Sequence, residues 1–206
     1  MNFITLVDYI GTFVFAISGI RLAAAKQFDW FGAFVIGLVT AVGGGTIRDV
    51  LLNNTPFWML EFNYMMITAS ALIIVIIFGK KLIHFYETIY IFDAIGLGLF
   101  TVVGIEKSIQ AGFPMWVSIF MGTITGAAGG VLRDILINEE PLIFRKDIYA
   151  IACIIGGFVF FGCEYFNSPH ELTIALTSLS IIAIRVVAVK YHINLPTLKG
   201  WNDTKE

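Results

Sequence analysis

The chain repeats itself. Residues 8–56 align without a gap on residues 93–141, which lie 85 positions further along. Sixteen of the 49 aligned positions are identical, and they include Asp8/Asp93, Gly44/Gly129, Arg48/Arg133, Asp49/Asp134 and Asn53/Asn138. Internal duplication is typical of proteins built from two related halves. A fold for this sequence must therefore pack two similar units against each other.

The composition is that of a membrane protein. Of the 206 residues, 58% are hydrophobic and only 14% are charged, and the mean hydropathy is +0.86. Soluble domains average about 25% charged residues. Apolar segments of about 20 residues recur along the chain, and each can cross about 30 Å of hydrocarbon. We expect an all-α polytopic protein with one membrane domain over 1–206, surrounded by membrane lipids and without affinity for nucleic acid.

Polar and helix-ending residues divide the sequence into seven predicted helices. Their ranges are 3–25, 30–52, 60–79, 88–107, 114–137, 148–166 and 171–189. The first three form one repeat, 3–79, and the next three form the second, 88–166. Because each repeat crosses the membrane an odd number of times, the two copies must run in opposite senses, as in inverted-repeat transport proteins. The seventh helix stands outside the duplication, and a tail, 190–206, follows it.

The distribution of lysine and arginine predicts the orientation. With the N-terminus outside, only Arg48 and Lys107 face the exterior. Eleven cations then face the cytoplasm: Arg21, Lys26, Lys80, Lys81, Arg133, Arg145, Lys146, Arg185, Lys190, Lys199 and Lys205. The positive-inside rule therefore favours an external N-terminus and a cytoplasmic tail.

Several long side chains near predicted helix ends are expected at the membrane surface. Arg185 is predicted to extend to the inner interface. Trp30, Trp58, Trp116 and Tyr64 are interpreted as an aromatic belt.

Consecutive glycines interrupt two of the apolar segments. Gly43, Gly44 and Gly45 lie in the second predicted helix, and Gly129 and Gly130 lie in the fifth. Each glycine costs a helix about 1 kcal/mol relative to alanine, and opened backbone in a membrane is tolerated only against protein or a water-filled cavity. One interpretation is that both helices kink and expose carbonyl oxygens to a dehydrated cation. The hydroxyls of Thr40, Thr46, Thr123 and Thr125 would extend the same polar track.

The alternative is that the glycines serve only close packing. Small residues recur every fourth position in both helices, at Gly37, Ala41 and Gly45 and at Gly122, Gly126 and Gly130. Such ridges let membrane helices approach closely. Both interpretations remain open from the sequence.

Each glycine motif is followed by an Arg-Asp pair, Arg48-Asp49 and Arg133-Asp134. Ionisable residues in apolar helices usually mark a pathway or an ion pair. Because neighbours on a helix point about 100° apart, we expect crossed pairs, Arg48 with Asp134 and Arg133 with Asp49. These pairs would cap or gate a pore, or they would be structural ion pairs near the two interfaces.

Two further acids occupy matching positions, Asp8 and Asp93, near the starts of the first and fourth predicted helices. Either they stabilise the positive ends of the helix dipoles, or they attract cations.

Enzymatic and metal chemistry find no support in the sequence. Cys153 and Cys163 are ten residues apart and match no metal-ligand spacing, and the three histidines are scattered. We expect no cofactor, no metal site and no enzymatic activity.

The doubled motif closely resembles one known family. Two copies of GG-x-x-RD, each followed by an Asn-x-x-Pro turn, in a chain of about 200 residues are similar to the prokaryotic TRIC (trimeric intracellular cation) channels, also catalogued as a glycine transporter domain. The resemblance implies a homotrimer with a pore in each protomer between helices 2 and 5, at Gly43–Gly45 and Gly129–Gly130. It also implies conduction of K⁺ and, less selectively, Na⁺. Ala128 replaces the first glycine of the second copy, which predicts a milder kink there.

The favoured reading is a passive monovalent-cation channel of a bacterial inner membrane. Arg48 and Arg133 would tune it, and Asp49 and Asp134 would neutralise them. The alternative is a secondary transporter for a small amino acid such as glycine, because inverted repeats also serve alternating access. A non-conducting scaffold is less favoured, because it does not need arginine and aspartate inside apolar helices.

Overall fold

The protein is a bundle of α-helices in a computed structural model that describes residues 3–83, 87–145 and 148–196. Side chains are described in these ranges except at 80–83 and 87–89. The helices are α1 (Phe3–Ala25), α2 (Trp30–Leu51), α3 (Phe57–Leu60), α4 (Asn63–Ile83), α5 (Glu87–Gln110), α6 (Met115–Leu136), α7 (Ala150–Tyr165) and α8 (His170–Lys190). A 3-10 turn, Leu142–Phe144, follows α6.

The ends of the helices are set by local residues, and the turns after α2 and α6 recur in both halves. Asp29 caps α2, and its Oδ1 accepts a hydrogen bond of 2.6 Å from the Gly32 amide. After α2 and α6 the chain turns at Asn53 and Asn138, whose φ angles are 57° and 58°. Asparagine adopts this left-handed conformation more readily than most residues, so the turn is a sequence-encoded stop.

The helix ranges agree with the sequence prediction to within a few residues, except at α3. This four-residue helix lies where the sequence predicted only a connection. Among the residues with described side chains, four helices are long and apolar enough to cross a membrane, namely α1, α2, α6 and α8, and two shorter apolar helices span Asn63–Gly79 and Ala150–Tyr165. The all-helical membrane architecture is confirmed, whereas the count of seven spans and the outward N-terminus stay predictions. Of the residues used for orientation, Lys146, Lys199 and Lys205 and the side chains of Lys80 and Lys81 lie outside the description, as does 197–206 of the tail.

The two halves pack about a pseudo-two-fold axis. The equivalent residues Phe15 and Phe100 contact each other edge to face, with ring centroids 5.1 Å apart. A residue that touches its own repeat equivalent lies on such an axis. Other contacts also occur in matched pairs. Gly44 packs on the Thr125 carbonyl, and the equivalent Gly129 packs on the Thr40 carbonyl.

These matched contacts make α2 and α6 antiparallel. Moving forward along α2 from Thr40 to Gly44 means moving backward along α6 from Gly129 to Thr125. Repeat-equivalent helices that run antiparallel across a shared axis are the geometry of an inverted repeat. Around this centre α1 packs on α2 and α4, α5 packs on α6, and α8 covers α5 and α7.

We predict that Gly44→Ala destabilises the fold. A Cβ at Gly44 would overlap the Thr125 carbonyl oxygen, which is backbone and cannot rotate away. The expected loss is about 1–3 kcal/mol in the free energy of unfolding. Gly162→Ala is the matched control, because a Cβ there meets no atom within 4 Å. It should leave stability unchanged or raise it by up to about 1 kcal/mol. Thermal unfolding in detergent measures the stability of both variants. Equal changes for Gly44→Ala and Gly162→Ala would contradict the close contact of α2 with α6.

Candidate functional site

The paired glycines lie inside continuous helices. Both α2 and α6 run without interruption through Gly43–Gly45 and Gly129–Gly130. The kink that would expose carbonyl oxygens stays a prediction. Close packing has direct support, because a side chain at Gly44 or Gly129 would collide with the backbone of the other helix.

The candidate threonines are bonded within their own helices. The hydroxyls of Thr40, Thr46, Thr123 and Thr125 donate to the carbonyl four residues earlier, at 2.6–2.9 Å. Thr40 and Thr125 are buried beside the glycine crossing. The hydroxyl oxygens can still accept a contact in this bonded state, because a hydroxyl has two lone pairs.

The arginines pair with the aspartates that follow them in sequence, which corrects the predicted crossed pairs. Arg48 Nε lies 2.8 Å from Asp49 Oδ1, and Arg133 Nε lies 2.8 Å from Asp134 Oδ1. All four residues are 5% exposed or less. The arginine side chain is long enough to turn back along the helix, so the 100° between neighbouring Cα directions does not prevent the contact.

Each of these aspartates also holds the turn after its helix. Asp49 Oδ2 accepts the Phe57 amide at 2.9 Å, and Asp134 Oδ2 accepts the equivalent Leu142 amide at 3.2 Å. The two carboxylates therefore face the connecting turn of their own half. This second bond explains why they are not available to the arginine across the axis.

Asp8 and Asp93 bind different partners, although they are equivalent positions. Asp8 Oδ2 accepts a hydrogen bond of 2.7 Å from the Tyr64 hydroxyl. Asp93 Oδ1 lies 2.7 Å from Arg133 Nη1, which also donates to the Ser18 hydroxyl at 2.9 Å. Both acids are buried, and neither serves the first turn of its helix. The helix-dipole interpretation is therefore replaced by specific side-chain contacts.

Two polar clusters result, one in each half. The first polar cluster is Asp8, Arg48 and Asp49, and the second polar cluster is Asp93, Arg133 and Asp134. Each contains two acids and one arginine, so its formal charge is −1.

The sequence did not predict that two tyrosines lie next to these clusters. Tyr64 was predicted in the aromatic belt, but it is 4% exposed and bonded to Asp8. Tyr149 is its equivalent, also 85 residues further along, and is 2% exposed. Extending the repeat comparison beyond 8–56 would have identified the pair. Trp30 and Trp116 are exposed, and their place in an aromatic belt stays a prediction.

Arg185 is buried rather than extended to the interface as predicted. It is 1% exposed, and its Nη1 donates to the Ile148 carbonyl at 2.6 Å. Its guanidinium carbon lies 4.7 Å from the Tyr149 ring centroid. This cation–π contact ties α8 to the residue just before α7.

A cavity of ≈ 260 Å³ lies at the second polar cluster. Its charged lining residues are Arg21, Lys26, Asp93, Arg133, Asp134, Glu139 and Arg145. Lys26 Nζ is 2.5 Å from Glu139 Oε1, and this hydrogen bond lowers the pKa of the Glu139 carboxyl. Within the described residues no three histidine, cysteine or acidic side chains are grouped as metal ligands.

Known proteins similar to this chain are membrane proteins. A family model described as a glycine transporter matches residues 5–80 and again 90–165. The UPF0126 inner membrane protein YadS of Escherichia coli (strain K12) is 40% identical over 195 residues, which cover 92% of this chain and 93% of YadS.

Two solved structures match the fold over nearly their whole length. The TRIC trimeric intracellular cation channel orthologue from Rhodobacter sphaeroides has a TM-score of 0.88 and 33% identity, over 94% of this chain and 100% of that chain. A prokaryotic TRIC channel in 0.5 M KCl has a TM-score of 0.84 and 31% identity, over 93% and 98%.

We predict that Asp49→Asn destabilises the protein more than Asp134→Asn. Asp49 is the only acid in ion-pair contact with Arg48 among the described residues, whereas Arg133 would keep Asp93. Breaking a buried pair costs about 3–5 kcal/mol when it leaves a charge unpaired. The loss should be about 1–3 kcal/mol where one acid remains. Thermal unfolding in detergent compares the two variants.

The control for both is Glu139→Gln, which removes the exposed pair with Lys26. Exposed ion pairs contribute little, so its unfolding temperature should match the unsubstituted protein. Equal losses of unfolding temperature for Asp49→Asn and Asp134→Asn would contradict the difference between one acidic partner at Arg48 and two at Arg133.

Proposed function

This chain belongs to the prokaryotic TRIC channel family, and on that premise we propose that it is a passive channel for monovalent cations in a bacterial inner membrane. The observation that carries the proposal is the match, at 33% identity and a TM-score of 0.88 over 94% of the chain, to a trimeric intracellular cation channel.

We place the ion path along the crossing of α2 and α6. The two polar clusters lie one helical turn beyond Gly44 and Gly129, at opposite ends of this crossing. The cavity at Asp93, Arg133 and Asp134 would be one entrance. Since Gly44 and Gly129 touch the carbonyls of the partner helix, the helices must separate here for an ion to pass.

The chemistry of this path favours weakly hydrated monovalent cations. Carbonyl oxygens and the hydroxyls of Thr40 and Thr125 would replace part of the hydration shell. K⁺ should pass more readily than Na⁺, because its shell is easier to remove. Asp49 and Asp134 neutralise Arg48 and Arg133, so neither arginine repels the ion.

The assembly and orientation are part of the same proposal. The Rhodobacter sphaeroides relative is trimeric by name, which supports a homotrimer with one pore in each protomer. An excess of cytoplasmic lysine and arginine supports an external N-terminus. The channel would use no metal cofactor and would catalyse no reaction.

Single-channel recording in a planar bilayer under a KCl gradient tests the proposal. We expect discrete current steps that reverse near the K⁺ equilibrium potential. The description of the matched family model as a glycine transporter supplies the rival outcome. No current, together with saturable glycine uptake into proteoliposomes from the same preparation, would overturn the channel proposal.

We predict that Asp93→Asn lowers the K⁺ conductance. The substitution changes the formal charge of the second polar cluster from −1 to 0 and leaves Arg133 with one acid. Because salt screens such charges, the reduction should be several-fold at 0.1 M KCl and smaller at 1 M KCl. Glu140→Gln is the control, because Glu140 is exposed and does not line the cavity. A reduction that is the same at both salt concentrations would contradict an electrostatic role.

A further inference from the structure

The two halves hold the same side chains in different arrangements. In the second half, Arg133 contacts both acids of its cluster, Asp93 and Asp134, at 2.7 and 2.8 Å. In the first half, Arg48 contacts Asp49, and the Tyr64 hydroxyl occupies Asp8 instead. The tyrosine has thus taken the position at Asp8 that an arginine holds at Asp93.

The surroundings of Tyr64 fix it over Asp8. Its ring packs edge to face on Phe57, with centroids 4.4 Å apart, and on Tyr9, at 5.3 Å. All three rings lie where α1, α3 and the start of α4 meet. The ring therefore fills the space beside Asp8 while the hydroxyl binds the carboxylate.

The equivalent Tyr149 does not act on Asp93 in this way. Its hydroxyl has no hydrogen-bond partner among the described residues. Its ring lies against the Arg185 guanidinium, 4.7 Å from centroid to carbon. Asp93 is left to Arg133, and the ≈ 260 Å³ cavity lies at this cluster. The arginine-bound arrangement thus occurs together with an open space beside the acid.

We propose that Tyr64 is a positioning residue that closes the Asp8 end of the ion path. It withholds Asp8 from Arg48 and occupies the adjacent space. When this end opens, Tyr64 releases Asp8 and Arg48 binds both acids, which reproduces the arrangement of Arg133, Asp93 and Asp134. The repeat makes this exchange feasible, because an equivalent backbone already holds the arginine-bound form. This inference rests on the proposed channel function for its consequence, but not for the exchange of partners itself.

The first test is single-channel recording of Tyr64→Phe beside Tyr149→Phe. Phenylalanine keeps the ring and its packing and removes only the hydroxyl. A hydrogen bond to a carboxylate is among the stronger ones in proteins, so the closed dwell times of Tyr64→Phe should shorten by roughly tenfold. The unitary conductance should stay the same, since the substitution keeps the ring and changes no formal charge. Tyr149→Phe should keep the dwell times of the unsubstituted channel.

The second test needs no current. Leu52 is the equivalent of Ile137, which lines the cavity of the second half. In a protein whose Cys153 and Cys163 are replaced by alanine, Leu52→Cys is treated with a membrane-impermeant maleimide in proteoliposomes. Labelling should be several times faster when Tyr64→Phe is added, and unchanged when Tyr149→Phe is added.

The two tests separate the failures. Faster labelling with Tyr64→Phe in a protein that passes no current would support the exchange of partners and overturn the channel proposal. Currents with unchanged dwell times, or equal effects of both tyrosine substitutions on labelling, would overturn the role of Tyr64 and leave the channel proposal in place. Size-exclusion elution and the unfolding temperature of each variant establish that the fold is kept.

Discussion

The rest of the structure depends on the contact between the backbones of α2 and α6. Gly44 and Gly129 each rest on a carbonyl group of the other helix, with no side chain between them. This contact makes the two helices antiparallel and fixes the distance between the halves. Arg48 and Arg133 follow their glycines by one turn. The two polar clusters are therefore forced to opposite ends of the crossing.

Arg48 and Arg133 are each compensated by a neighbouring aspartate. An arginine in an apolar helix is costly unless it is paired and hydrogen-bonded. Asp49 and Asp134 supply the charge, and they also bind the amides of Phe57 and Leu142 in the following turn. Each aspartate thus binds both the arginine and the following turn, so a change in the turn would also weaken the ion pair of the arginine.

Much of the fold follows from the sequence, but the pairing of side chains does not. The helix ranges follow from apolar segments that end at asparagine and proline, and the repeat predicts the antiparallel arrangement of α2 and α6. The crossed ion pairs were wrong because the amides that bind Asp49 and Asp134 become neighbours only once the turns have formed. Tyr64 was misplaced because an aromatic residue near a helix end has the same sequence signature at a membrane interface and in a buried contact.

The helix outside the duplication makes the two ends unequal. A perfect inverted repeat would give both clusters the same partners, and neither end would be closed in preference to the other. Here α8 has no counterpart in the duplication, and its Arg185 lies against Tyr149 and the Ile148 carbonyl. The cation–π contact holds this tyrosine beside α8. Among the described residues no cation contacts the ring of Tyr64, which instead packs on Phe57 and Tyr9 beside Asp8. The added helix thus does more than supply packing surface, since it distinguishes the states of two otherwise equivalent sites.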